Sequence, residues 1–406
     1  MENIKERALK LHKENRGKLS VVNKMDVRSK DDLALAYTPG VAEVSRAIAL
    51  DSGKVHDYTM KGNSVAVVSD GTRVLGLGDI GPEAALPVME GKCLLFKKLA
   101  NIDAFPICLA TKDEDQIVQT VKNIAPVFGG INLEDISSPK VFSIERRLRN
   151  ELNIPVFHDD NRGTGIVIMG ALLNAVKLVG KDISQIKLVL NGAGSAGISV
   201  ARMAAGMGVA EIVVCDSKGA IYDGREDIKN TYKEEIAQST NHKKLSGSLS
   251  DVVVGADVLI GVSAANAFRP EMIESMARDP VVFALANPTP EIMPADAKRA
   301  GAKIVATGRS DFPNQVNNAL AFPGVFRGAL DVRARDINDA MTRAAANAIA
   351  DIIKDPSHDK ILPDVLDCRV APAIAKAVAY AAIRTGVARA EMDPEEIEKQ
   401  AIKMVC

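Results

Sequence analysis

The sequence predicts an α/β protein in three parts. A mixed α/β region covers residues 1–160, a parallel-sheet region 161–330, and closing helices 331–406. Three observations carry this. Short apolar runs of strand length alternate with helix-length segments from residue 187 onward, the pattern that lays strands in parallel. One of those runs, KLVLN, leads into Gly192-x-Gly194-x-x-Gly197 and then a helix of small residues. The last stretch, with INDAMTRAAANAIADIIK and RVAPAIAKAVAYAAIRTGVA, is Ala-rich and helical, suited to close packing on another domain or subunit.

Residues 2–15 read as a surface helix and 19–35 as a mixed polar segment. In LALAYTPGVAEV, Thr38 is placed to cap a helix over 40–50, with Pro39 at its first position. Tyr37 then stands just before a helix start, as a ring packed at a domain edge or as a general acid. NSVAVVSDGTRVLGLGD predicts a β-hairpin, because Asp70-Gly71 is a strong turn signal between apolar runs. Arg73, after the turn, is a solvated charge or a fork for a substrate carboxylate. PVMEGKCLLFKKLA predicts a helix opened by Pro87. Val88, Met89, Leu95, Phe96 and Leu99 share its apolar face, and Lys92 falls in the middle of that face. Burial there would lower the lysine pKa and favour a neutral amine that accepts a proton. Snorkelling along the helix is the alternative. IDAFPICLAT follows as a buried strand.

Two pairs of acids come next, Glu134-Asp135 in INLEDIS and Asp159-Asp160 in FHDDNRGTG. Each pair ends a short apolar segment. One such pair would simply face water; two favour oxygen ligation of Mg²⁺ or Mn²⁺. The five histidines (12, 56, 158, 242, 358) are unclustered, which argues against a His-ligated zinc site. Gly163-Thr164-Gly165 opens a helix, IVIMGALLNAVKLVG, that is apolar on nearly every side and so predicted to lie buried between layers. Its N-terminus, at Thr164, faces back toward the acids and suits an anion or phosphate.

The glycine pattern has the flanking strand and helix that a Rossmann-type dinucleotide site requires, and a second strand, EIVVC, ends at Asp216. Asn191, Gly192, Gly194, Ser195, Ala196 and Gly197 form the expected phosphate loop. Asp216 would accept from the ribose hydroxyls, which favours NAD. Lys218 is placed to pair with a 2′-phosphate, which keeps NADP open. Later strands end at Ser263, Asn287 and Thr307, and ligands in parallel sheets gather at such carboxyl ends. Asn317 and Asn318 lie in the loop beyond.

Composition sets limits. The 51 Lys and Arg balance 52 Asp and Glu, which gives no support to nucleic-acid binding or a polybasic membrane patch. No apolar run is long enough to span a bilayer, and no secretory h-region is visible. The five cysteines (93, 108, 215, 368, 406) show no CxxC spacing and read as reduced thiols of a cytoplasmic protein.

Together, YTPGVAEV, DGTRVLGLGDIG, GKCLLFKKLA, INLEDIS, FHDDNRGTG, NGAGSAG, NPTPE and VNNALAFPGVF resemble the malic enzymes, in their short bacterial or archaeal form. The resemblance implies oxidative decarboxylation of malate to pyruvate and CO₂, with a nicotinamide cofactor and Mg²⁺ or Mn²⁺. It implies that Lys92 is the general base and Tyr37 the general acid. Glu134, Asp135 and Asp160 match metal ligands, with Asp159 beside them orienting the lysine or the metal. Arg73, Asn287 and Asn318 match malate contacts, and Asn317 faces the nicotinamide. It also implies a homodimer whose active site draws on both subunits. No counterpart is seen of the long N-terminal extension of animal-type enzymes or of an appended phosphotransacetylase-like domain. Two other chemistries fit parts of the pattern: malolactic conversion, which yields lactate, and a metal-independent Rossmann dehydrogenase. A nucleotide-sensing protein would explain the glycine loop but not a buried-face lysine near paired acids.

Overall fold

A computed structural model describes residues 3–228 and 231–406. Two parallel sheets carry the architecture. The first contains β1 (Ser64–Ser69), β2 (Asp103–Cys108), β3 (Gly130–Leu133) and β4 (Val156–His158), in the order β2-β1-β3-β4. Its neighbours are all parallel, with Val65 opposite Gly130 and Ile131 opposite Val156. The order reverses between β1 and β3, so the loops after these strands flank a crevice, the usual ligand position in such sheets. Both acid pairs sit there, at the carboxyl ends of β3 and β4.

The second sheet holds β5 (Lys187–Asn191), β6 (Glu211–Asp216), β7 (Gly219–Ala220), β8 (Val258–Gly261), β9 (Val281–Ala284) and β10 (Ile304–Thr307). Its order is β10-β9-β8-β5-β6-β7, parallel except for β7. Here the reversal falls between β5 and β8, and the glycine loop follows β5 directly.

The Thr164–Leu178 helix packs against the Ser195–Gly206 and Asp339–Ile352 helices and is buried over most of its length, as its all-round apolar character predicts. The C-terminal helices return to the first sheet's side. Phe322–Asp331 packs on Val370–Arg384 and on the Pro82–Ala100 helix, and Pro394–Val405 reaches the same two. Aromatic contacts fix the docking, with Phe96 4.6 Å from Phe322 and 5.3 Å from Phe326 between ring centroids. Asn174 ties the layers, donating to the carbonyls of Ala350 and Ile361 at 3.0 Å each.

Several local expectations give way. The predicted hairpin is absent: β1 is a central strand buried on both faces, paired in parallel on both edges, and residues after Asp70 form a loop. A run buried on both sides reads as parallel strand rather than hairpin arm. The helix bearing Lys92 starts at Pro82, and Pro87 lies within its first turns. Thr38 caps nothing; Tyr37 ends the Lys30–Ala36 helix, and Gly40 precedes Val41–Leu50. β2 is half-buried at the sheet edge, where Pro106 leaves no central ladder bond unmade. Cys368 and Cys406 are joined in a disulfide rather than reduced, because the last helix folds back and brings their Cα atoms to 5.4 Å. Cys93, Cys108 and Cys215 are free. No helix among the described residues is long and apolar enough to cross a membrane.

Residues 3–58 differ from the other described residues. None of the helices Ile4–Asn15, Lys30–Ala36 and Val41–Leu50 buries a residue, although Leu9, Val21, Val22, Leu35 and Leu50 are apolar and exposed.

Candidate active site

The Pro82–Ala100 helix turns Ala85, Met89, Lys92, Cys93 and Phe96 inward, so the sequence places a lysine on the buried face and the structure keeps it there, 8% exposed. Lys92 Nζ donates to Asp159 Oδ2 at 2.6 Å and lies 2.9 Å from Glu134 Oε1. It also sits 4.3 Å from the centroid of the Phe322 ring, a cation–π contact in a desolvated place. Glu134 is held in turn by Asn132, whose Nδ2 donates to its other oxygen at 2.9 Å.

The neighbouring acids are fixed through the backbone. Asp135 adopts φ +53°, a left-handed conformation that Asp tolerates better than most residues. Its N–H donates to Asp160 Oδ2 at 2.9 Å, and its carbonyl accepts from the Arg73 N–H at 3.1 Å. The Asp159–Gly163 turn is π-helical and carries both aspartates. Asp159 is fully buried, and a Cβ on Gly163 would stand 1.8 Å from its Oδ1, so only glycine leaves that carboxylate room.

Burial and mutual repulsion set the charges. Burial pushes Glu134 up, with Lys92 opposing. Burial, aided by Asp160, pushes Asp135 up to about 7, and burial pushes Asp159 up to about 6 against the pull of Lys92. For Asp160 burial is outweighed by His158 and Lys92, which hold the carboxyl at about 2. Lys92 departs from expectation: burial draws its pKa down, but Asp159, Glu134 and Asp160 outweigh it and raise the pKa. Within this cluster it is a firm ammonium, because its counter-charges are buried with it. Asp135 Oδ2 and Asp159 Oδ1 are buried with no hydrogen-bond partner. Among the described residues no three His, Cys, Asp or Glu side chains are spaced to enclose a metal ion; Lys92 draws Glu134 and Asp159 to itself.

The second sheet supplies the facing loops. The Ser195–Gly206 helix begins straight after the glycine loop, and a Cβ on Gly197 would meet the Gly192 carbonyl oxygen at 1.8 Å. Asn191 Nδ2 donates to Ser263 Oγ at 2.8 Å across the β5–β8 reversal. Glu291, fully buried, accepts from the N–H of Ser263 and of Ala286 at 2.9 Å each, and so joins the loops after β8 and β9. Thr164 begins its helix directly after the Asp159–Gly163 turn. Asn287 is exposed beside Gly308, and Asn317 caps the short Asn318–Leu320 turn through its own Oδ1. Ala196 lies in the first turn of the helix.

Arg73 links the two halves. Its backbone binds Asp135, and its Nη1 donates to Ser195 Oγ at 2.9 Å, at the glycine-loop helix. Asp216 ends β6 as expected, but its lone pairs are taken. Arg225 donates to both oxygens at 3.0 and 2.6 Å, Lys233 at 2.6 Å, and the Lys218 N–H at 3.0 Å. A ribose hydroxyl would compete with these donors. Lys218 itself pairs with Asp227. Tyr37 is not gathered in: it is 68% exposed at the end of its helix, and its hydroxyl makes no hydrogen bond to a described residue.

Phe322, Asn132 and Glu291 are contacts that sequence reasoning did not single out. Phe322 and Glu291 lie in the motifs VNNALAFPGVF and NPTPE, which marked the loops but not these side chains.

Comparison with known proteins identifies the family. Residues 162–383 match the malic enzyme NAD-binding domain, and residues 14–149 the malic enzyme N-terminal domain. A bifunctional malic/malolactic enzyme of Bacillus subtilis (strain 168) is 60% identical over 403 residues, covering 99% of this chain and 98% of that protein. An NAD-dependent malic enzyme of Geobacillus stearothermophilus is 54% identical, covering 97% and 82%. The crystal structure of the malic enzyme from Pyrococcus horikoshii superposes with TM-score 0.96 at 50% identity, covering 99% and 96%. Two matched domains in the same order, and relatives aligned over nearly the full length, place this chain in the malic enzyme family.

Proposed function

We propose that the protein, with a divalent cation bound, converts L-malate and NAD(P) to pyruvate, CO₂ and reduced cofactor. The observation that carries this is the buried Lys92, seated between Glu134 and Asp159 under Phe322 and joined through Asp135 and Arg73 to the glycine loop.

The donor chemistry of these residues suits a cation, once Lys92 releases the acids it now holds. Asp135 Oδ2 and Asp159 Oδ1 are buried without partners, and burial raises Glu134, Asp135 and Asp159. An oxygen-only set of this kind suits Mg²⁺ or Mn²⁺. Glu134, Asp135 and Asp160 would hold it, and it would supply electrophilic polarisation of substrate oxygens. The nicotinamide would supply the hydride acceptor, held by Asn191, the glycine loop, Ser263 and Asn317.

The chain's own side chains do the proton work. Lys92 takes the C2 hydroxyl proton, and Asp159 aims the lysine. To act as a base Lys92 must first lose its hold on the acids, and charge compensation of Glu134 and Asp160 brings its pKa down. Tyr37 returns a proton to C3 after decarboxylation. Arg73, Asn287 and Asn318 hold the malate carboxylates.

We assign Tyr37, exposed at the end of its helix, to a site completed by a second subunit. Of residues 3–58 none is buried, yet they carry a row of exposed apolar side chains, which suits docking on a second copy. In this reading the arm of one subunit delivers Tyr37 to the Lys92 of the other.

Malate with Mn²⁺, assayed with NAD and with NADP, tests the reading through cofactor reduction and pyruvate. NAD is the first expectation; the basic residues around Asp216 favour NADP instead. Lactate without net cofactor reduction would favour malolactic conversion, which the Bacillus subtilis relative's name brings forward. Activity unchanged by a chelator would overturn the metal assignment.

A further inference from the structure

A second cleft, of about 770 Å³, opens beside the catalytic turn. Asp159 and Asp160 serve the Lys92 cluster, whereas Asn161 and Arg162 of the same turn line this cleft. Its other walls come from the Lys140–Glu151, Ser195–Gly206 and Asp339–Ile352 helices. Six arginines and four carboxylates line it, so cations are in excess.

Pairing within the lining accounts for only part of that excess. Arg149 donates to both oxygens of Asp336 at 2.9 and 2.8 Å, and Arg202 pairs with Glu235. Arg162 is the exception at the base. It is 8% exposed, and its Nη1 and Nη2 are buried without a hydrogen-bond acceptor. Its carboxylate neighbours, Glu145 and Asp339, stand 3.7 Å away, beyond hydrogen-bond reach. Asn161 Oδ1 beside it is also buried and unpaired. Arg146 and Arg343 complete the lining with no salt bridge among the described residues. A buried guanidinium with two idle nitrogens is costly unless an anion completes it.

We infer that this cleft binds an organic phosphate, with Arg162 at its base and Arg146 and Arg343 as further guanidinium contacts. A phosphate monoester carries a charge of about −1.5 to −2 at neutral pH, which matches the lining's excess. Its tetrahedral oxygens accept from guanidinium forks arriving from several sides, as these three do from separate elements. The rings of Phe142 and Tyr232, with centroids 4.4 Å apart and planes tilted by 35°, line the same cleft and offer aromatic surface for the organic portion. The inference concerns binding and does not rest on malate chemistry.

Calorimetric titration of the full chain, saturated with NAD so that the glycine loop is filled, tests it with AMP and inorganic phosphate as probes. One AMP should bind per chain, and phosphate more weakly at the same site. Arg162→Gln should weaken AMP at least tenfold. Because that buried change can disturb the fold, the double variant Arg146→Gln/Arg343→Gln, away from the catalytic residues, should weaken it tenfold as well. Absence of binding by both probes, or affinity unchanged in the double variant, overturns the site. Succinate binding with the same variant sensitivity, in place of AMP, overturns the phosphate assignment.

Discussion

Replacing Lys92 by Met removes the ammonium from a buried group of acids while nearly keeping its volume. Lys92 Nζ stands 2.6 Å from Asp159 and 2.9 Å from Glu134, with the three side chains 8%, 0% and 5% exposed. Breaking a buried ion pair from one side costs about 3–5 kcal/mol, because the remaining charge is left uncompensated. That corresponds to roughly two to three and a half orders of magnitude in the unfolding equilibrium. The deficit has a pH signature. Burial already raises Asp159 to about 6 and pushes Glu134 up, and Lys92 is what lowers both. Without it their folded pKa values rise further above the unfolded ones. A raised folded pKa contributes stability that is present below the unfolded value and lost as pH rises through the folded value. The variant's deficit should therefore be large at about pH 8 and less than half as large at about pH 5. Urea unfolding in a chelator, followed by circular dichroism at fixed protein concentration, measures it. Adding Asp159→Asn to the variant should recover about 1–2 kcal/mol, since it removes one of the stranded charges. A deficit that is absent, or equal at both pH values, would refute this account of how the cluster is held.

Other outcomes follow from the same geometry. A purified heterodimer of Tyr37→Phe and Lys92→Ala subunits should regain about half of wild-type malate oxidation if the pair spans subunits, since one of two sites is then intact; activity no higher than either homodimer would place both residues in one chain. Gly197→Ala puts a Cβ 1.8 Å from the Gly192 carbonyl, and backbone cannot yield as a side chain can. Its NAD affinity should fall at least about 100-fold in a fluorescence titration, and wild-type affinity would contradict the close approach. Cys406→Ser frees a loop of 38 residues, for which the chain-entropy relation gives up to about 4 kcal/mol. Limited proteolysis should then cut first in the Pro394–Val405 helix, and equal resistance would mean that packing alone holds it.

Much of the protein could be read along the chain because the signals are local. The glycine pattern names its turn by itself, since the need for glycine arises within six residues. The buried face of the Lys92 helix follows from helical periodicity, and the acid pairs stand visibly at strand ends. The missed hairpin was a local signal too, but Asp70-Gly71 serves equally to leave a parallel strand, and only the pairing partners of β1 decide between them.

What the sequence determined, then, is which residue types occur at which strand end or helix face. Charge state and partnership are properties of assembled neighbours, and the tertiary structure decided those. Lys92 could be predicted as buried, but not as a firm ammonium, because Glu134 and Asp159 arrive from other strands. Phe322 reaches the lysine from 230 positions away, and Asp216 is filled by Arg225 and Lys233. Cys368 meets Cys406 only because the last helix turns back. Each is a long-range contact, and an electrostatic energy depends on the distances and burial that such contacts create.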